Sequence, residues 1–318
     1  MGNKIFKIAF SVPTYKRESE LIRLVRSIYC SYSNSNQNIS LSIFIRDNDP
    51  DSNLNEYLLS NICPGIDIIY SKNKLNEGAR FNVWRTLVKA SKVSDYVCLV
   101  SDDDYILPNF LEKVVSCFIN KPVEYLITNY YQQYPDLKSS TKQLGLEREI
   151  LKKFIYSPKE NIIISNRILT GTCFSKDVIN RMIKYCDASY YESQWYVQFL
   201  GCFAKSFGRL EERLSIHQVL NKTYWEPYDK NKYNDMVFSR IEGYKLAYGL
   251  MKNSEKDLSN LILKTIINFP IWDGLRILFD IRSNFNFSIK YRFFIYKPFH
   301  MKILRDSKHL FNRLKNFK

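Results

Sequence analysis

Residues 97–108 read VCLVSDDDYILP: four apolar residues, a serine, three consecutive aspartates, a short apolar step and a proline. If all three were ionised, Asp102, Asp103 and Asp104 would repel one another, so a chain that places them after an apolar run must give them a partner. The run Tyr96–Val100 has the composition of a buried strand, and Asn109–Phe118 beyond the proline has the apolar spacing of a helix. The same alternation recurs upstream. Lys7–Val12 (KIAFSV) is strand-like and closed by Pro13, and Glu18–Ser31 carries apolar residues at 21, 22, 25, 28 and 29, a helical stripe. Leu41–Ile45 (LSIFI) precedes a helical Asn53–Ser60, and Ile66–Tyr70 (IDIIY) precedes a helix over Arg80–Ala90. Strands alternating with helices predict βαβ units, hence an α/β fold around a mostly parallel sheet.

Sheets of this kind bind ligands outside the carboxyl ends of their strands. Each strand here ends in polar chemistry: Thr14, then Asp47 to Asp49, then Asn73 and Asn76, then Asp102 to Asp104. The bland account of the three aspartates is a solvated turn before a helix. The sharper account is a hard cation. Mg²⁺ or Mn²⁺ takes oxygen ligands, usually one or two carboxylates with substrate phosphates and water. Such an ion turns the repulsion between carboxylates and a diphosphate into attraction, and it stabilises charge on a departing nucleotide diphosphate.

Further along, Val123–Thr128 reads as a strand, Glu147–Lys153 and Lys176–Tyr185 as helices, and Ser193–Phe203 as an aromatic-rich helix. Arg213–Val219 is strand-like and carries His217; after about Asn221 the pattern is helical and aromatic. The expected division is a catalytic domain over 1–225 and a helical, basic region over 226–318. Across the 318 residues, 47 Lys and Arg against 32 Asp and Glu give a net charge of +15, which points to an anionic partner. Between Ile281 and Lys318 ten basic residues face Asp306 alone, so most of that excess lies at this end. Seven scattered cysteines without CxxC spacing read as reduced thiols of a cytosolic protein. With no signal peptide and no apolar run near the ~18 residues that span a bilayer, the expected location is cytoplasmic, peripheral on the inner face of the cell membrane.

The succession FSVPTYKR (10–17), FIRDND (44–49), NEGARFN (76–82) and VSDDDYILP (100–108) resembles the nucleotide-sugar domain of family 2 glycosyltransferases. The spacing of Gly78 and Asn82 and the Ser-Asp-Asp-Asp ending are most similar to the abequosyltransferase-like branch, which builds bacterial surface polysaccharides such as O-antigen and capsule. The resemblance covers residues 5 to about 120 and extends weakly to about 220. It implies a GT-A-like, Rossmann-like sheet flanked by helices, and a nucleoside-diphosphate sugar as donor. It also implies a saccharide acceptor, lipid-linked in this setting.

The resemblance also implies roles. Pro13, Thr14 and Tyr15 would line the nucleotide pocket, and Asp47 or its neighbours would accept a hydrogen bond from the base, unless Asp47 serves only an Asx-turn before Pro50. Asn76 would belong to the nucleotide-sugar site, and Arg80 and Asn82 would lie near base or phosphate, or form a helix-face pair without function. Asp102 and Asp104 form a DxD spacing, while Asp103 matches the metal-binding aspartate of many members; which pair holds Mn²⁺ or Mg²⁺ stays open. An inverting member needs a carboxylate base, for which Glu192 in YYESQW (190–195) is the candidate, although the family's usual Glu-Asp pair is missing; Asp187 is the reserve. His217 is a further metal candidate or a sheet-edge histidine. Thr170-Gly171-Thr172 offers a glycine where backbone amides can approach a ligand.

From Ile281 onward, Phe285, Phe287, Tyr291, Phe293, Phe294, Tyr296 and Phe299 are interleaved with the basic residues. Aromatics beside Lys and Arg suit an anionic bilayer surface. They also suit single-stranded nucleic acid, but no nucleic-acid motif accompanies them. Packing or oligomerisation is the plainer alternative. Two rival functions are a sugar-nucleotide nucleotidyltransferase, against which VPTYKR lacks the glycines of such a loop, and a non-catalytic membrane or nucleic-acid binder. The second leaves four polar strand ends without a purpose.

Overall fold

The structure is a computed structural model, and it describes residues 5–133, 169–192 and 197–218. The chain divides into two units, Met1–Tyr228 and Asp229–Lys318, and all the described residues belong to the first. The helices expected at Glu147–Lys153 and after Asn221, and the basic aromatic tail, lie outside the described residues.

The order of elements is β1 (Phe6–Thr14), α1 (Glu18–Ser33), β2 (Ile39–Asp47), α2 (Glu56–Ile62), β3 (Asp67–Lys72), α3 (Ala79–Ser91), β4 (Tyr96–Leu99), β5 (Tyr105–Ile106) and α4 (Phe110–Asn120). There follow β6 (Tyr125–Gln133), β7 (Thr172–Ser175), α5 (Lys176–Tyr185), α6 (Ala188–Tyr191), a 3₁₀ helix (Val197–Phe203) and β8 (Phe207–Gln218). Among the described residues the strands form one sheet in the order β3-β2-β1-β4-β7-β6-β8-β5. β3, β2, β1 and β4 are parallel neighbours, as are β6 and β8. β7 runs antiparallel to both β4 and β6, and β5 antiparallel to β8. This is the mostly parallel α/β sheet that the strand–helix alternation predicts.

The strands outlast their apolar runs. Pro13 pairs with Arg46 and Thr14 with Asp47, in register with the apolar pairs before them, so the polar ends of β1 and β2 lie side by side. In the other direction, α2 begins later than its pattern, because Asn55 caps it by accepting the Leu58 amide at 2.9 Å. The helix expected over Ser193–Phe203 is described only from Val197, and there it is 3₁₀. β5 and β7 carry no sequence signal of their own; each is defined by strands distant in the chain.

Alternate residues of β1 (Phe6, Ile8, Phe10, Val12) and β2 (Ile39, Leu41, Ile43, Ile45) join one apolar cluster with Leu21, Leu24, Val25 and Ile28 of α1 and Phe110, Leu111, Val114 and Val115 of α4. α3 packs against β1, β2 and β4 and buries Trp84, Leu87 and Ala90. β1 is therefore covered on both faces, as parallel strands are. That leaves the carboxyl edge of the sheet as the place for polar chemistry.

An asparagine lattice holds this edge together. Asn82, 2% exposed, donates to the carbonyls of Arg46 at 2.9 Å and Thr14 at 3.3 Å, so the first turn of α3 grips the ends of β1 and β2 at once. Asn73 donates to Asn48 Oδ1 at 2.9 Å and Asn82 Oδ1 at 3.4 Å, and the Glu77 amide also donates to Asn48 Oδ1, at 2.9 Å. The Asn82→Ala change should lower stability by about 1–3 kcal/mol, because buried acceptors lose a donor. Urea unfolding measures it, and a loss within ~0.3 kcal/mol would show that the lattice does not hold the edge.

Candidate functional site

The three aspartates do not share one partner; each faces different groups. Asp102, 4% exposed, accepts from the Thr14 hydroxyl at 2.8 Å and the Tyr15 amide at 3.4 Å through Oδ2, and from Arg17 at 2.9 Å through Oδ1. The same Arg17 nitrogen, Nη1, donates to Asp103 Oδ2 at 2.7 Å. Asp103 Oδ1 accepts from the Ser101 hydroxyl at 2.6 Å, and Arg23 of α1 holds the Asp103 carbonyl at 2.6 Å. Asp104, fully buried, accepts from the Thr170 hydroxyl through Oδ2. Its Oδ1 meets His217 Nδ1 at 3.0 Å and the Gln218 amide at 3.0 Å. Of the three, only Asp103 keeps appreciable exposure, at 14% of its side chain.

The local chain explains this placement. β1 ends at Thr14, and Lys16 then takes φ +55°, the only non-glycine residue with positive φ among those described. That turn sends Arg17 back across the carboxylates before α1 begins at Glu18. On the far side, Thr170 also accepts the Ser101 amide at 3.0 Å, tying the aspartate loop to the turn before β7. Gly171, at φ +85°, sits so close to Thr128 that a Cβ there would lie 2.2 Å from its hydroxyl oxygen. Here glycine serves close packing of that turn.

The expected nucleotide residues divide into two groups. Thr14 and Tyr15 bond Asp102, and Pro13 lies next to them in the paired end of β1. Asp47 is 2% exposed; its Oδ1 accepts the Asp49 amide at 2.9 Å, the Asx-turn weighed above, and its Oδ2 accepts the Tyr70 hydroxyl at 2.9 Å. Burial chiefly pushes the Tyr70 phenol above its ordinary range. Asn76 is exposed and bonded to Asn48 and to the Gly78 amide; Asn82 belongs to the lattice; Arg80 is half-buried on the first turn of α3.

Glu192 belongs to a chain of opposite charges. Arg85 of α3 grips it with two nitrogens, at 3.0 and 3.2 Å, and donates to Glu77 at 2.6 Å; Glu77 also accepts from Arg46 at 2.9 Å. The hydrogen bond to Glu192, chiefly, raises the Arg85 pKa. Burial works to raise Glu77, but the hydrogen bonds and charges of Arg46 and Arg85 prevail and hold its carboxyl below its ordinary value. Trp84 packs against Tyr191, ring centroids 5.7 Å apart, beside this pair. Asp187, the reserve candidate, is exposed and accepts from Ser189. Arg17, Arg23, Glu77 and Arg85, none of them singled out by the sequence, bond to the candidate residues or to one another. The pair Lys16-Arg17, two residues after Thr14, shows a basic charge there but not which group it meets.

This donor set fits a hard divalent ion. It is built of carboxylate oxygens, and a guanidinium cation already sits between Asp102 and Asp103. Among the described residues no three His, Cys, Asp or Glu side chains converge into a cage. Mg²⁺ and Mn²⁺ are commonly held without one, by one or two carboxylates plus phosphate oxygens and water. Asp103, the least buried of the three, could hold such an ion, and Asp102 next to it shares Arg17. His217 is engaged with Asp104 and stacks edge-on with Tyr130, ring centroids 6.1 Å apart. All seven cysteines are free thiols, and no helix among the described residues is long and apolar enough to cross a membrane.

The family profile described as Glycosyl transferase family 2 matches residues 10–183. No curated protein sequence matches significantly. Among solved structures, the chain is similar to residues 1–349 of S. aureus TarS in complex with UDP-GlcNAc, with TM-score 0.57 and 12% identity, covering 92% of this chain and 79% of that one. It is also similar to the mannosyltransferase PcManGT from Pyrobaculum calidifontis in complex with GDP-Man and Mn²⁺, with TM-score 0.50 and 9% identity, covering 98% and 86%. At such identities the likeness is one of fold.

Burial pushes the Asp102 carboxyl from its ordinary 3.8 up to about 6; Arg17 opposes this, while the charge of Asp103 adds to it. Because the folded value lies above the unfolded one, this group's contribution to stability is complete below 3.8 and is lost as the pH rises through about 6. Asp102→Asn cannot titrate, so its stability relative to the wild type should improve by roughly 2–3 kcal/mol between pH 3.5 and 7. Thermal unfolding across that range checks it; a constant difference between the two proteins would contradict the raised value.

Proposed function

The chain belongs to glycosyl transferase family 2, and from that premise we propose that it moves a hexosyl or deoxyhexosyl group from a nucleoside-diphosphate sugar to a saccharide hydroxyl, with inversion. The observation that carries this reading is the carboxylate run at the carboxyl edge of a parallel sheet, bonded to Thr14, Tyr15 and Arg17 of the first strand and its turn. The complexes of TarS with UDP-GlcNAc and of PcManGT with GDP-Man and Mn²⁺ support a nucleotide-sugar donor. The motif likeness to the abequosyltransferase-like branch supports bacterial surface polysaccharide as the setting.

In this reading Pro13, Thr14 and Tyr15 border the nucleotide, with Asp47 and Arg80 on its base side. Asp103, with Asp102 beside it, would hold Mn²⁺ or Mg²⁺. Such an ion, when bound, neutralises charge on the departing diphosphate. Glu192 takes the proton from the acceptor hydroxyl, and Arg85, through its two-nitrogen grip, fixes the direction in which that carboxylate points. Arg46 and Glu77 hold Arg85 in turn. Asp104 and Thr170 brace the aspartate loop from below.

The basic, aromatic segment from Ile281 would hold the enzyme on an anionic membrane near a lipid-linked acceptor. Each Lys or Arg close to such a surface contributes on the order of 1 kcal/mol, so engaging a few suffices for reversible attachment. Co-sedimentation with anionic vesicles, falling as salt rises, is the expected result for the full chain. Equal sedimentation with neutral vesicles would return the segment to packing or oligomerisation.

The donor is tested by thermal shift with a panel of nucleoside diphosphates, with and without Mn²⁺. One of them should raise the melting temperature, and EDTA should remove most of the effect, since ligands of the native state stabilise it. Stabilisation by none would count against glycosyl transfer. With the donor so found, Glu192→Gln should lower turnover by ~10²–10⁴ and leave donor affinity nearly unchanged. Turnover near the wild-type value would pass the role to Asp187.

A further inference from the structure

The guanidinium of Arg17 stands where a cation between Asp102 and Asp103 is needed. One nitrogen, Nη1, reaches both carboxylates, at 2.9 and 2.7 Å. Among the described residues its Nε and Nη2 have no hydrogen-bond partner, and a quarter of the side chain, 26%, is exposed. Arg17 therefore presents one edge to the aspartates and an unused edge of N–H donors outward. The positive φ of Lys16, which a lysine adopts only at a cost, is what brings Arg17 back over the carboxylates. The charges explain the arrangement. Two adjacent carboxylates at a largely buried strand end need positive charge at all times, whether or not a ligand is present.

We propose that Arg17 holds the place of the divalent cation until a nucleoside diphosphate arrives, and that it then gives up Asp103 and turns its free edge to the diphosphate. The inference rests on the nucleotide-sugar reading above. In the free enzyme a divalent ion meets a fixed positive charge between its carboxylates, and it binds weakly. A diphosphate brings negative charge that can employ both cations, the ion on Asp103 and the guanidinium on the phosphate oxygens. A planar guanidinium suits that second task, because it binds phosphate through paired N–H donors. The ion and the nucleotide then bind together or hardly at all, and the site never exposes uncompensated carboxylates.

The test is direct Mn²⁺ binding, read from the loss of the free-ion electron paramagnetic resonance signal, with no turnover involved. Wild-type protein should bind Mn²⁺ alone weakly, and on the order of tenfold or more tightly when the nucleoside diphosphate found by thermal shift is present. Arg17→Gln frees the carboxylates. It should bind Mn²⁺ alone about tenfold more tightly than the wild type, as removing a competing closed state predicts, and lose most of the nucleotide-dependent gain. Arg17→Lys, which keeps a charge but not the bridge, covers the case in which Arg17→Gln does not fold, and it should lie between the two. Mn²⁺ binding no tighter in either variant than in the wild type would overturn the placeholder. A wild type that binds no nucleoside diphosphate would instead sink the transferase reading, while the Mn²⁺ affinities of the variants would still decide the role of Arg17.

Discussion

Everything at the carboxyl edge of this sheet follows from one electrostatic constraint: Asp102, Asp103 and Asp104 are adjacent in the chain and must not all point at one another. The fold separates them. Asp102 turns toward β1 and Arg17, Asp103 toward Ser101 and Arg17, and Asp104 down toward Thr170 and His217. Of the three, Asp104 is fully buried and bonded to Thr170, His217 and the Gln218 amide, which braces the loop. Burial raises the Asp102 pKa and Arg17 opposes that shift, so a neighbouring cation favours its ionised form.

The scaffold that keeps this geometry is itself polar. Covering β1 on both faces forces the functional groups to its end, and the ends of three parallel strands carry carbonyls that no further strand satisfies. Asn82, Asn73 and Asn48 answer that need, joining Thr14, Arg46 and the loop before α3. On the other side Gly171 allows the turn before β7 to pack against Thr128, so that Thr170 can reach both Asp104 and the Ser101 amide. A second charged chain, Arg46–Glu77–Arg85–Glu192, links the end of β2 to the candidate proton acceptor.

The sequence made the parallel half of the sheet legible because βαβ units are local: each apolar run is followed by its own helix, and the polar ends mark one edge. β5 and β7 escaped because their definition lies in antiparallel partners far along the chain, Tyr105 with Ile216 and Cys98 with Cys173. The aspartates were legible from three like charges in a row. Arg17 and Arg85 were not, since an arginine on a helix or at its start looks the same whether it meets water or a carboxylate. Asn82, four residues after Gly78, makes a related point: its spacing does not show that its side chain donates to the carbonyls of Thr14 and Arg46. Side-chain direction at a helix terminus is decided by tertiary packing, which spacing does not encode.

The central claim is that Asp103 and Arg17 together form a site for a divalent ion and a diphosphate. Anomalous scattering from crystals grown with Mn²⁺ and the preferred nucleoside diphosphate tests it most directly. The account predicts a manganese peak coordinated by the Asp103 carboxylate and by phosphate oxygens, with the guanidinium of Arg17 turned from Asp103 onto the phosphates. A peak on other residues, or a nucleotide bound with Arg17 still bridging Asp102 and Asp103, would contradict it.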